Sequence, residues 1–252
     1  KDADIQFMTT PYDSEAVTMF SPLTPAFKVG SGDITFKKFI EEIAVSKKPV
    51  ILATGAATMN ETIAATDLVL KHNKDLILLQ CNTNYTGDIE NFNYINLNVL
   101  KAYATKWPGL ILGLSDHTPG HSAVLGAVAL GARVIEKHFT DDNKRDGPDH
   151  KFALNPITWR AMVDSTRELE LALGDGVKRI ERNEQEAVIV QRRAMRAKRD
   201  LLAKTVIRDN DFEALRPCPV DAISPFEFSA VIGRKVKSNL QKGDYISWDN
   251  LS

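Results

Sequence analysis

Cysteine is scarce in this chain. Cys81 and Cys218 are the only two among 252 residues, and they form no Cys-x-x-Cys pair. A disulfide framework is therefore not expected, and a reduced, cytoplasmic setting is. No apolar run approaches the roughly 20 residues that a membrane span needs, so no membrane partner is expected, nor a secretory signal. Neither sign of charge dominates: 32 Lys and Arg face 33 Asp and Glu, a formal net charge of −1. Nucleic acid is accordingly not an expected partner. An initiator methionine is also missing, since the chain opens Lys1-Asp2-Ala3. That opening is expected of a fragment.

What is present is a repeated alternation. Short β-rich apolar segments lie near Ile5–Thr9, Phe27–Val29, Val50–Ala53, Leu76–Cys81, Gly109–Leu114 and Val134–His138. Longer amphipathic segments follow near Ser14–Phe20, Phe36–Ser46, Asn60–His72, Ile95–Lys106, Gly120–Leu130 and Pro156–Leu173. The strands are mostly continuous apolar runs, as parallel strands buried on both faces should be. Repeated βα units predict a (β/α) barrel or a doubly wound sheet. Thr58-x-x-Glu61 has the pattern of a capping box at the start of a helix. The character changes near Gly174. Residues 179–195 are charged and helix-prone and read as a linker or a solvated helix, with Arg192, Arg193, Arg196, Lys198 and Arg199 clustered around its end. The remainder, 196–252, shows short strand signals, Pro-rich turns and a faint repeat. Asp200 to Ile207, then Asp211-Phe212, matches Asn239 to Ile246, then Asn250-Leu251, at its apolar positions. A small pseudo-symmetric β module of about 55–60 residues is predicted. The division is thus 1–178, 179–195 and 196–252.

Several strand ends carry residues suited to chemistry. Lys28-Val29-Gly30-Ser31-Gly32-Asp33 delivers a lysine and then a turn with exposed N–H groups and a hydroxyl. Such a turn suits an anion, although an ordinary βα loop has the same composition. Ala53-Thr54-Gly55 and Cys81-Asn82-Thr83-Asn84-Tyr85-Thr86 repeat the logic after the next two strands. Together they imply a polar pocket on the rim where α/β proteins place their ligands. His117 and His138 close two successive strands joined by one helix. A right-handed crossover makes those strands parallel neighbours, about 4.8 Å apart, and brings the two imidazoles together. Glu136 alternates onto the same face as His138. Two histidines leave positions open for water and substrate oxygens, as in an exchangeable Mn²⁺ or Mg²⁺ site rather than a closed zinc site. His72 lies at a predicted helix C-terminus and His121 is peripheral, so neither is a candidate. The loop from Phe139 to His150 is rich in carboxylates and carries Gly147-Pro148, which suits either sugar hydroxyls or a solvated turn.

In this order, Lys28-x-Gly-Ser-Gly, Ala53-Thr-Gly, Gly113-Leu-Ser-Asp-His117, Glu136-x-His138-Phe-Thr and Gly147-Pro-Asp149 resemble the sialic acid (N-acetylneuraminate) synthases. The tail resembles their C-terminal antifreeze-like SAF domain, a β-clip. The resemblance implies a (β/α)8 barrel that condenses phosphoenolpyruvate with N-acetylmannosamine or a related modified hexosamine. Phosphate is released and a nonulosonic acid is formed. It implies metal binding by His117 and His138, with Mn²⁺ as the expected ion and Mg²⁺ or Co²⁺ as alternatives. It implies catalytic roles for Lys28, Glu136 and Asp149, and substrate contacts from Thr10, Ser31, Asp33, Thr83, Asn84, Tyr85 and Ser115. Arg216 would be lent by the partner subunit of a domain-swapped homodimer.

This sequence departs from the family pattern in places. Asp33 stands where Glu is common and Ala53 where a phosphate-facing Ser is usual. Gln80-Cys81-Asn82-Thr83-Asn84 leaves open which of Thr83 and Asn84 replaces the family's asparagine. Thr10-Pro11-Tyr12 matches the end of the family's third strand, so the first two strands, with a catalytic glutamate and a second lysine, are expected to be absent. An N-terminally truncated piece with six barrel strands follows. Two alternatives accompany the leading function: a related phosphoenolpyruvate-dependent sugar aldol synthase, or a truncated, inactive carbohydrate-binding relative.

Overall fold

The computed structural model describes residues 4–252, and its chain divides into two units, Lys1–Gly176 and Val177–Ser252. In the first unit, helix α1 (Ser14–Phe20) precedes strand β1 (Phe27–Val29), and βα units follow in strict alternation. They are α2 (Lys37–Val45), β2 (Val50–Ala53), α3 (Met59–His72), β3 (Leu76–Cys81), α4 (Val99–Lys106), β4 (Ile111–Asp116), α5 (Ser122–Ala129), β5 (Val134–Lys137) and α6 (Pro156–Leu173). All five strands are parallel and lie in chain order, forming a curled half-barrel sheet.

The sequence pattern explains this layering. Alternate strand residues point to opposite faces. Phe27, Val29, Val50, Leu52, Leu76, Leu78, Leu112 and Leu114 face outward and are buried with Phe39, Ile40 and Ile43 of α2, Val69 of α3 and Leu100 and Tyr103 of α4. Ile51, Ala53, Leu79 and Cys81 form a second, inner apolar cluster. Both faces are therefore apolar, which is why these strands lack polar alternation. Helix α3 begins with the anticipated box: the Thr58 hydroxyl accepts from Glu61 N, and the Glu61 carboxylate accepts from Thr58 N.

Three strand boundaries differ from expectation. Ile5–Thr9 does not form a strand. Only Thr9 makes a parallel bridge, to Phe27, and Ile5 is 77% exposed. The Gly109–Leu114 segment forms a strand two residues later, because Gly109 takes φ +88° in the turn before it. Strand β5 stops at Lys137, one residue short of His138. Beyond it, Phe139 bridges Leu154 in parallel, with Leu154 N donating to the His138 carbonyl at 2.9 Å.

In the second unit, helix α7 (Gln185–Gln191) is followed by the antiparallel pair β6 (Ala194–Ala197) and β7 (Phe212–Leu215). Residues 179–195 thus carry α7 and the first turn into β6. Cys218 N donates to the Ile189 carbonyl at 2.8 Å, tying α7 to the β module. The faint repeat is a structural pseudo-twofold. Leu201 and Leu240, equivalent in the repeat, exchange backbone hydrogen bonds with each other at 2.8 and 2.9 Å. Gly243 N donates to Ala197 O, and its equivalent, Lys204 N, donates to Val236 O. Leu201, Ile207 and Phe212 share one core with Leu240 and Ile246. Each half covers the apolar residues of the other, so neither could bury them alone. No helix among the described residues is long and apolar enough to cross a membrane.

Candidate active site

The inner face of the half-barrel holds a cavity of about 350 Å³, lined in part by Thr10, Lys28, Ile51, Leu79, Val134 and Glu136. Strand register places its polar groups. Cys81 is level with Ser115, and Ser115 with Glu136, so three inward side chains form a row across β3, β4 and β5. Lys28, on β1, reaches across the concavity, and its Nζ lies 3.4 Å from Glu136 Oε1. The second carboxylate oxygen of Glu136 is buried without a hydrogen-bond partner among the described residues. An acceptor in that state is an open valence for a ligand, because a buried unpaired oxygen is costly.

Beside Lys28, Ser31 opens a single 3₁₀ turn, Ser31–Asp33, and is buried. Its hydroxyl accepts from Gly55 N at 2.9 Å. Gly55 has no room for a side chain. A Cβ there would lie 2.5 Å from the Thr83 methyl, 2.9 Å from Ser31 Oγ and 3.0 Å from Cys81 Sγ. The ends of β1, β2 and β3 therefore converge on one glycine. Thr54 faces elsewhere, bonding the Leu79 carbonyl at 2.9 Å and accepting from Tyr103 Oη at 2.9 Å. Asp33 is half-buried in the same turn as Ser31. Burial pushes the Cys81 thiol up from its ordinary value, against hydrogen bonds from Ser31 and Ser115.

Thr83 and Asn84 have different surroundings. Thr83 packs at the glycine just described, whereas Asn84 turns into its own loop. Asn84 Oδ1 accepts from Thr86 N at 2.9 Å, Thr86 Oγ1 at 2.8 Å and Asn91 Nδ2 at 3.3 Å. Those bonds hold the loop that carries Tyr85. The Tyr85 ring lies 4.2 Å from the His117 ring and 5.7 Å from the His138 ring. Its phenol is pushed up chiefly by burial.

The two imidazoles meet with ring centres 5.1 Å apart. Each has its Nδ1 engaged. His117 Nδ1 lies 2.7 Å from the Asn82 carbonyl, and His138 Nδ1 lies 3.3 Å from Asp149 Oδ2. A carbonyl can only accept, so Nδ1 of His117 is assigned the proton and Nε2 keeps a free lone pair. This carbonyl-and-carboxylate backing is the arrangement that orients histidines toward a metal. Burial lowers the His117 pKa below its ordinary 6.5, and the Asn82 bond opposes that shift. A neutral ring is the form that can ligate. No group of three or more His, Cys, Asp and Glu residues suited to a metal occurs among the described residues. The two imidazoles, each backed at Nδ1, are the residues that could hold a cation, and other positions would have to be filled from outside the protein.

Sequence reasoning missed several supporting residues. Phe152 lies 5.1 Å from the His138 ring, which Tyr85 also approaches at 5.7 Å. Thr140 Oγ1 and His150 Nδ1 are 2.7 Å apart, and Asn143 Nδ2 donates to the carbonyls of His150 and Ala153, both at 2.8 Å. These bonds fold the loop that presents Asp149. The only available signal was its Asn, Asp and Gly content. Arg216 belongs to the second unit, where its Nε donates to the Gln191 carbonyl at 2.6 Å.

Comparison with known proteins follows from this geometry. Residues 1–178 match the profile described as the NeuB family, and residues 192–252 match the SAF domain. The N,N'-diacetyllegionaminic acid synthase of Campylobacter jejuni is 33% identical over 250 residues, spanning 98% of this chain and 73% of that protein. The pseudaminic acid synthase of the same organism is 34% identical over 236 residues, spanning 92% of this chain and 65% of that protein. Among solved structures, N-acetylneuraminic acid synthetase from Leptospira borgpetersenii, in complex with citrate, superposes with a TM-score of 0.68 at 30% identity. The match spans 74% of this chain and 65% of that one.

Proposed function

The chain belongs to the NeuB family and carries a SAF domain, and from that premise we propose that it condenses phosphoenolpyruvate with an N-acetylated hexosamine, releasing phosphate and forming a nonulosonic acid. The acceptor is N-acetylmannosamine or one of the modified hexosamines that lead to legionaminic and pseudaminic acids. The observation that carries this reading is the pairing of His117 with His138 on the same face as the Lys28–Glu136 pair. One half of such a site handles an anion and the other an electrophile.

In the proposed reaction, C3 of phosphoenolpyruvate bonds to the sugar aldehyde carbon, water adds at C2, and phosphate leaves by C–O cleavage. Lys28 supplies a cation to the carboxylate or phosphate, and the Ser31 hydroxyl supplies a donor beside it. Ser31 Oγ accepts from Gly55 N, and a ligand would compete with Cys81 for its proton. Glu136 and Asp149 accept from sugar hydroxyls, and Tyr85 provides an aromatic wall. Thr10, Thr83 and Ser115 add hydroxyls around the cavity. A divalent cation at the Nε2 atoms of His117 and His138, Mn²⁺ by preference, would polarise the aldehyde as a Lewis acid.

The test incubates the full-length protein with phosphoenolpyruvate, Mn²⁺ and a panel of these sugars, and measures released phosphate and bound ligand. Release with one of them is expected. Sugar or phosphoenolpyruvate binding without any release would overturn the catalytic reading in favour of a carbohydrate-binding relative. Mn²⁺ binding that survives His117→Ala with His138→Ala would remove the metal assignment.

A further inference from the structure

Behind the two histidines lies a buried ion pair for which the reaction has no use. Lys137 Nζ donates to Asp116 Oδ2 at 2.6 Å and to the Thr118 carbonyl at 2.5 Å. Asp116 Oδ1 accepts from Thr118 N at 2.9 Å and from Thr118 Oγ1 at 2.8 Å. The two charged side chains are 1% and 0% exposed. Asp116 and Lys137 are register partners on β4 and β5. Their side chains leave the sheet on the face opposite to Ser115 and Glu136, since side chains alternate along a strand. His117 and His138 are the next residues in each chain segment.

The position of this pair is informative. At the preceding outward positions of the same strands, Leu112, Leu114 and Ile135 pack with apolar side chains. Two apolar residues could fill the Asp116–Lys137 level, because desolvation cancels much of what a buried ion pair gains, but they would strip the buried Thr118 of these partners. What the pair adds is direction and length. Its four bonds tie the residue before His117, the residue after His117 and the residue before His138 into one cluster. The backbone on both sides of His117 is thereby held relative to the start of His138.

We propose that Asp116 and Lys137 are positioning residues that set the spacing of the two imidazoles and so the affinity of the site for a divalent cation. This rests on the reading that His117 and His138 hold such a cation. Lys137 lines the cavity, but its Nζ is taken up by Asp116 and Thr118, so the pair acts through the strand ends.

The experiment measures Mn²⁺ affinity of the full chain by calorimetry, alongside metal-free thermal melts. The first variant is Asp116→Leu with Lys137→Met, which replaces the pair by apolar side chains of similar size. A cooperative melt at a lower temperature, with Mn²⁺ bound at least about tenfold more weakly, is expected. A purely structural pair would not lower metal affinity in a variant that still melts cooperatively, so parental affinity there overturns the proposal. Where that variant loses its cooperative melt, Thr118→Val decides. It removes one hydroxyl bond to Asp116 and keeps the shape. About threefold weaker binding is expected, and unchanged binding overturns the proposal. Absence of Mn²⁺ binding by the parent chain, or its persistence in the double histidine variant, would instead overturn the metal reading itself.

Discussion

Gly55 is the position where local packing and the candidate site can be tested together. In Gly55→Ala the added methyl would fall 2.5 Å from Thr83 Cγ2, 2.9 Å from Ser31 Oγ and 3.0 Å from Cys81 Sγ. Real Cβ atoms do not approach so closely, so the three neighbours must move. Overpacking of this kind costs about 1–3 kcal/mol. Displacement of Ser31 also weakens the bond from Gly55 N, worth about 1 kcal/mol net. The sum is roughly 2–4 kcal/mol. At about 2–4 °C per kcal/mol for a unit of this size, the melting temperature should fall by roughly 4–16 °C. Gly32→Ala is the matched control. It lies in the adjoining turn, has no heavy atom within 4 Å of a built Cβ and does not require positive φ. It should be neutral or stabilising by up to about 1 kcal/mol, through a less flexible unfolded chain. Differential scanning calorimetry of both variants, with titration of phosphoenolpyruvate, reads the outcome. Gly55→Ala should also bind phosphoenolpyruvate more weakly than Gly32→Ala. If the two alanine variants melt together and bind alike, the convergence of three strand ends on Gly55 is not what holds Ser31 in place.

Two further outcomes follow from the structure. The pseudo-twofold of the second unit sets Lys204, at φ +71°, against Gly243, at φ +93°; Lys204→Gly should therefore raise stability by about 1 kcal/mol and Gly243→Ala should lower it by a similar amount, as thermal melts would register. A fall in stability for Lys204→Gly would contradict the equivalence. Because burial raises the Cys81 thiol above its ordinary 9.0, the folded chain should alkylate at Cys81 far more slowly than free cysteine at pH 8, measured by mass spectrometry. A raised folded value contributes stability that is complete below the unfolded value and is lost as pH rises through the folded one. Urea midpoints that rise between pH 9 and 10.5 would contradict this assignment.

Much of the fold was legible in the chain. Apolar runs separated by amphipathic stretches located β1, β2 and β3 to the residue, because strands buried on both faces have few polar interruptions, here Lys28 and Gln80. The Thr58 capping box and the repeat in the tail were equally visible, since both depend on neighbours in sequence. At Ile5–Thr9 the apolar residues did not make a strand: only Thr9 bridges β1, and Ile5, Phe7 and Met8 stay exposed. At the site, proximity of His117 and His138 followed from parallel neighbours closing at the same rim. The choice between Thr83 and Asn84 did not follow, because it turns on whether a side chain bonds its own loop.

The sequence by itself located the five strands that form, though not the failure at Ile5–Thr9, and the residues that stand at the rim. These are local matters of periodicity and capping. Only the tertiary structure decided that Lys28 pairs with Glu136, that Gly55 is the meeting point of three strand ends, and that Asp116 and Lys137 are joined behind the histidines. Each of these depends on the register between segments far apart in the chain. A shift of one residue in that register would carry every side chain to the opposite face. Register is decided by the packing of the whole sheet, so no local pattern encodes it.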